Sequence, residues 1–271
     1  MTPAQASSTI PIAAGDLAIA ASLLLIHGAL SVALGLGVGR ALLVAALRMV
    51  VQLLLVGLVL AALFEQVSPW LTGLAALVMV LFAGREVSAR QQRRLSGAWS
   101  YALGTGAMLF ATLAVTLFAL TTAIRPDPWY DPRYAIPLLG MVLGNTLNGI
   151  SLGLHTLTTG LIQQRPAVEA RLCLGATRWQ ATHHVIVLAL RTGLMPVVNA
   201  MAATGLVSLP GMMTGQIIAG AEPYGAVRYQ MLVMFLIAGG TALGATVAVF
   251  GGVLRLTDER HRLRLDRLTS L

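Results

Sequence analysis

Asn145, Asn148, Ser151, His155 and Thr159 follow one another at spacings of three and four residues inside the apolar run from Ile136 to Leu161. That spacing sets them on one face of a helix. Polar groups are costly in hydrocarbon, so a polar face in so apolar a run needs water or a partner. Two arrangements supply one. The face lines a hydrophilic translocation pathway, or it hydrogen-bonds across a helix–helix interface that Gly140 and Gly144 allow to close up. In a dimer, a stripe at the symmetry axis does both. Asn199 and Gln216 are the further polar candidates for the pathway.

Stronger chemistry has fewer candidates. His155 offers an imidazole as metal ligand or proton acceptor, and equally fits a hydrogen-bonded structural histidine. Met212 and Met213 carry soft thioethers that suit Cu(I), or serve as flexible packing in a gate formed with Pro210 and Gly211. His183 and His184 are adjacent, so on a helix they point about 100° apart and do not chelate one ion. No carboxylate falls in the middle of an apolar run, so the oxygen ligands that Fe²⁺, Mn²⁺ or Mg²⁺ prefer are missing there and no metal site is firm. Gly149 to Gly153 spells GxSxG, but a nucleophile elbow needs a strand-to-helix turn and this segment lies inside an apolar helix. An intramembrane hydrolase using Ser151 is therefore the remote alternative, and no catalytic residue is assigned.

The elements that position these groups are membrane helices. The chain has 271 residues, 57% hydrophobic and 10% charged, with several runs near the roughly 20 residues that span a bilayer. The expected fold is all-α and polytopic, with about seven spans: 17–36, 48–64, 70–84, 98–121, 136–161, 184–206 and 229–254. Residues 41–47, bracketed by Arg40 and Arg48, are expected to lie as an interfacial helix, which keeps Arg48 at the headgroups. The first basic residue is Arg40, so 17–36 is read as a retained helix and not a secretory signal. After span six, Pro210 to Ala219 is too short to cross and reads as a re-entrant or broken segment. With the N-terminus outside, every arginine-rich segment falls on the cytoplasmic side. The organisation is then an external tail (1–16), a single membrane domain (17–254) and a basic cytoplasmic tail (255–271).

All eighteen basic residues are arginine. Without a lysine the chain has no Walker A motif, so any ATP and Mg²⁺ must be bound by a partner and none by this chain. The net charge of +8 sits at the ends of apolar runs, which points to membrane orientation and lipid headgroups and not to nucleic acid. The one cysteine, Cys173, excludes an intrachain disulfide.

Between spans five and six lies the polar insert Arg165 to Leu188. Pro166 suits the first turn of a helix, Glu169 favours its exposed N–H groups, and Gly175 suits its left-handed close. Thr177 with Gln180 then reads as a capping box that starts the next helix. A short helix held at a fixed angle between two membrane helices is a rigid handle on the membrane part; an ordinary cytoplasmic loop is the plainer reading.

Glu169-Ala170-Arg171, three residues, then Gly175 resembles the EAA loop of ABC-transporter permeases, the coupling helix that docks on the ATP-binding subunit. On that resemblance Glu169, Ala170, Gly175, Ala176, Thr177 and Gln180 are the coupling residues. Val185, Val187 and Leu188 match the second half of that loop only in hydrophobicity, and its proline is absent. Three more stretches resemble the FetB-type permease family, linked to iron export in bacteria and aluminium tolerance in plants. They are Arg48 to Leu53 with Gly57, Ile136 to Asn145, and Gly205 to Gly215, the last spelling GLVSLPGMMTG. The resemblance implies a homodimeric permease in the bacterial inner membrane, joined to a separate ABC ATPase, that exports iron or another metal. A lysine that family members often carry before GLVSLPGMM is missing from Asn199 to Thr204, so the cargo can differ. An ion-coupled secondary transporter is the alternative.

Overall fold

The computed structural model describes residues 13–270. Seven helices long and apolar enough to cross a membrane dominate it. They are α1 (Ala14–Ala33), α2 (Gly39–Glu65), α3 (Pro69–Arg90), α4 (Trp99–Phe118), α5 (Pro132–Gln163), α7 (Arg178–Ala203) and α9 (Pro223–Arg255). Two short helices break the pattern: α6 (Arg165–Cys173) between α5 and α7, and α8 (Gly211–Ile218) between α7 and α9. Strands β1 (Arg93–Leu95) and β2 (Leu268–Ser270) pair antiparallel. The expected all-α membrane fold is thus found, with the expected break after the sixth span.

The core is built around α5, which packs against α3, α4, α7 and α9. One face of α5 is lined by Leu143, Leu147, Ile150, Leu154, Leu157 and Leu161, all buried, at helical spacing. Helix α7 comes closest at Gly193, where an added Cβ would stand 2.7 Å from the carbonyl oxygen of Gly149. Only two hydrogens at each Cα let these backbones meet. The hairpin of α1 and α2 stands apart: almost all of α2 is exposed, and the pair is pinned internally where Ser31 Oγ accepts the Gly39 N–H.

Several sequence expectations change. Residues 41–47 are not a separate interfacial helix, because α2 runs unbroken from Gly39 to Glu65. Arg48 does not need a headgroup, since its guanidinium reaches Glu86 of α3 at 2.8 Å. Of the expected external tail, residues 1–12 lie outside the described residues and 14–16 form the first turn of α1, where Asp16 accepts the Ala13 N–H. The tail after α9 is folded. Leu263, Leu265 and Leu268 pack against the core, β2 joins β1, and Arg267 donates to the Arg255 carbonyl. Within that tail the Arg264 guanidinium beside Asp266 holds its carboxyl down to about 2. The Arg262 backbone N–H holds the Asp258 carboxyl below the usual range. Both contributions are present above the ordinary carboxylate range and are lost only as pH falls through the depressed values.

Helix α5 has 32 residues, about 48 Å, well beyond a hydrocarbon core of about 30 Å. The last residue of α3, Arg90, meets α5 at Asn148. A belt of Arg48 and Arg90, joined through Glu86, therefore lies at the level of Asn148, and α5 continues about 22 Å beyond it before α6 begins.

Candidate functional site

At the far end of that extension sits α6. Pro166 occupies its first turn; Glu169, expected beside the exposed N–H groups of that turn, stands one turn further along because the helix already starts at Arg165, and it pairs with Arg165 at 2.8 Å. Gly175 closes the helix at φ +88°, with its N–H on the Leu172 carbonyl and the Ala176 N–H on the Arg171 carbonyl. This is the Schellman arrangement that glycine favours. Thr177 then caps α7: its backbone N–H donates to Gln180 Oε1 at 2.9 Å and its hydroxyl accepts the Gln180 N–H at 3.4 Å. The turn and capping box read from the sequence are both present.

Val168, fully buried, and Leu172, half-buried, anchor α6 in the same core as Leu161 and Val185. Their spacing of four puts them on one face, so Ala167, Ala170, Arg171 and Cys173 stay exposed on the other. Leu174 at the tip is 88% exposed, a large apolar side chain with nothing covering it. Two contacts that sequence reasoning missed make the knob rigid. His184 of α7 bonds Gln164 just before α6 and also Arg171 within it, the latter at 2.9 Å. Adjacent His183 is exposed, so the pair splits as helical geometry requires. The folded tail joins the same region through the Arg178 N–H, which donates to His261 Nδ1 at 3.3 Å.

The polar stripe of α5 does not remain one surface. Asn145 and Asn148 are exposed on the membrane bundle, the first donating to the Met141 carbonyl at 2.9 Å and the second accepting from Arg90 at 2.8 Å. Ser151 is buried, its hydroxyl without a hydrogen-bond partner among the described residues, while its carbonyl accepts from Gln91 at 3.1 Å. His155 and Thr159 are half-buried in the extension beyond the arginine belt. Asn199 is exposed on α7 and Gln216 half-buried on α8, and neither joins the stripe. Among the described residues no three His, Cys, Asp or Glu side chains come together as a metal site.

An ion-pair cluster stands beside the stripe instead. Glu86 takes Arg48 at 2.8 Å and Arg90 at 3.5 Å, and Arg90 reaches on to Asn148. It ties the α1–α2 hairpin to α3 and α5. The signal was present in the sequence as Glu86 four residues before Arg90, an i,i+4 pair. Its third member, Arg48, is distant in sequence. The four residues read as a gate lie at the opposite end from α6: Pro210 caps α8, Gly211 opens it, Met212 is half-buried and Met213 buried.

A family model described as "Uncharacterised protein family (UPF0014)" matches residues 14–256. A UPF0014 membrane protein of Synechocystis is 39% identical over 84% of this chain and 87% of its own length. The "Probable iron export permease protein FetB" of Escherichia coli is 32% identical over 82% of this chain and 83% of its own. "Protein ALUMINUM SENSITIVE 3" of Arabidopsis thaliana is 33% identical over 75% of this chain and 72% of its own. No solved structure matches. Matched over almost its whole length and carrying seven apolar helices of spanning length, the chain belongs to the UPF0014 family of membrane proteins.

Proposed function

We propose that this chain is the membrane-spanning subunit of an ATP-binding-cassette exporter in a bacterial inner membrane. Its cargo is iron or another metal, and a separate ATPase powers it through α6. The observation that carries this reading is the construction of the knob. Helix α6 is fixed at its start by Pro166, at its end by Gly175 and along one face by Val168 and Leu172, and it turns Ala167, Ala170 and Leu174 outward. A helix pinned on one side and free on the other transmits force when a partner grips it. The resemblance of Glu169 to Gly175 to the EAA loop supplies the kind of partner, and the relative named as an iron export permease supplies the direction and cargo.

In operation, closure of the ATPase dimer moves α6, and His184 passes that motion to α7 while the chain continuity at Gln164 passes it to α5. The exposed Asn145 and Asn148 face is where two permease chains meet and where cargo passes. Exposed amides at membrane depth are favourable only against water or a partner. Glu86 and Arg48 hold the α1–α2 hairpin in one of the two positions that transport alternates.

The test is ATPase activity of the reconstituted complex with Glu169→Arg and Gly175→Val chains. Each variant inserts normally and loses most cargo-stimulated hydrolysis. Undiminished stimulation in both would refute coupling through α6.

A further inference from the structure

A cavity of about 420 Å³ lies at the end of the bundle opposite α6, between the C-terminal end of α7, the 204–210 turn, α8 and α9. Val227, Gln230, Met231 and Met234 reach it from one face of α9, at i, i+3, i+4 and i+7. Met201 comes from α7 and Met213 from α8, so thioethers enter from three helices. Gln230 is 6% exposed, lines this space, and its Oε1 has no hydrogen-bond partner among the described residues. A buried acceptor left unpaired is costly and calls for a donor. Met231 and Phe235 are exposed at the rim, so the cavity is open to entry.

We infer that this cavity binds a neutral, largely apolar molecule that donates one hydrogen bond to Gln230 Oε1. Size separates this from a bare soft cation. A cavity of 420 Å³ falls within the roughly 300–1,000 Å³ of sites for small organic molecules, whereas an ion gripped by thioethers needs them drawn together in a far smaller space. The wall chemistry agrees: flexible methionine side chains adapt to varied apolar shapes and favour contact with aromatic rings. Met213 belongs to the gate, so a molecule held here sits against the segment that must move to release it. The inference goes beyond the exporter reading and does not rest on it: the molecule is a ligand of the gate distinct from the metal cargo, and its binding requires no ATPase. An amphiphile of the bilayer and a dissolved solute share this chemistry.

The experiment is carbon-13 methyl NMR of the full chain in detergent, labelled at methionine, with N-phenyl-1-naphthylamine as the neutral, single-donor probe. Met201→Leu, Met213→Leu, Met231→Leu and Met234→Leu assign the four methyls. The probe shifts those four saturably and leaves fully buried Met108, outside the cavity, unmoved. Gln230→Leu, close in shape, weakens probe binding about tenfold while the methyl spectrum stays dispersed. Hexadecan-1-ol, a neutral amphiphile with one hydroxyl donor, displacing the probe identifies a bilayer amphiphile as the source, and no displacement identifies a solute. Equal shifts at all methionines, no shift at all, or an unchanged affinity in Gln230→Leu overturns the proposal. So does a response to Ag⁺ alone, which reassigns the cavity to a soft ion. Because no ATP is present, failure here leaves coupling through α6 standing, and a failed coupling test leaves the cavity standing.

Discussion

Gly193 and Gly175 show how single residues set this molecule's geometry by two different routes. At Gly193 the constraint is contact. A Cβ would stand 2.7 Å from the Gly149 carbonyl oxygen, which is backbone and cannot swing aside, so α5 and α7 must separate. Gly193→Ala is expected to destabilise the fold by roughly 1–3 kcal/mol, as other overpacked cores are. A thermal unfolding midpoint equal to that of the unmodified protein would rule out this close approach. At Gly175 the constraint is torsion. Open space surrounds it, yet φ is +88°, so any side chain is strained by the backbone alone. Residue type made this turn legible, since glycine followed by Thr177 and Gln180 has few other uses. Nothing local announced His184, whose partners Gln164 and Arg171 lie twenty and thirteen residues away and meet it only because the chain doubles back at Gly175.

The helices themselves were largely readable, because seven apolar runs can hardly do otherwise in a bilayer, where backbone groups must satisfy one another. Their ends were not. The expected third span ends at Gly84, because Arg85, Arg90, Arg93 and Arg94 read as one short cytoplasmic loop, whereas the helix runs to Arg90. Its final turns carry the Glu86 cluster, and pairing with Arg48 and Arg90 removes the need for the charges to leave the helix. The same blind spot split α2 at Arg48. Likewise the polar residues of α5 share a helical spacing but not their surroundings: Gln91 donates to the carbonyl of buried Ser151, whereas Asn145 is exposed. The cluster is expected to act as a unit between elements. In a double-mutant cycle of Arg48→Ala and Glu86→Ala, the two effects should fall short of additivity by roughly 0.5–3 kcal/mol. Full additivity in unfolding measurements would mean that the hairpin is held by something else.

Across the whole molecule, long helices carry a small rigid knob about 22 Å beyond a belt of arginines, and a Met-lined cavity sits at the other end. This polarity suits the exporter proposed above, in which force would enter at α6 and cargo would leave past α8. Nature provides a convenient reporter, since Cys173 is the chain's one cysteine and is exposed on the knob. The most direct measurement is labelling of Cys173 by a membrane-impermeant maleimide in inside-out and right-side-out vesicles, with and without the ATPase subunit bound. Coupling through α6 predicts rapid labelling from the cytoplasmic face and several-fold protection once the ATPase docks. Labelling from the outer face, or a rate from the cytoplasmic face that the bound ATPase leaves unchanged, would contradict it.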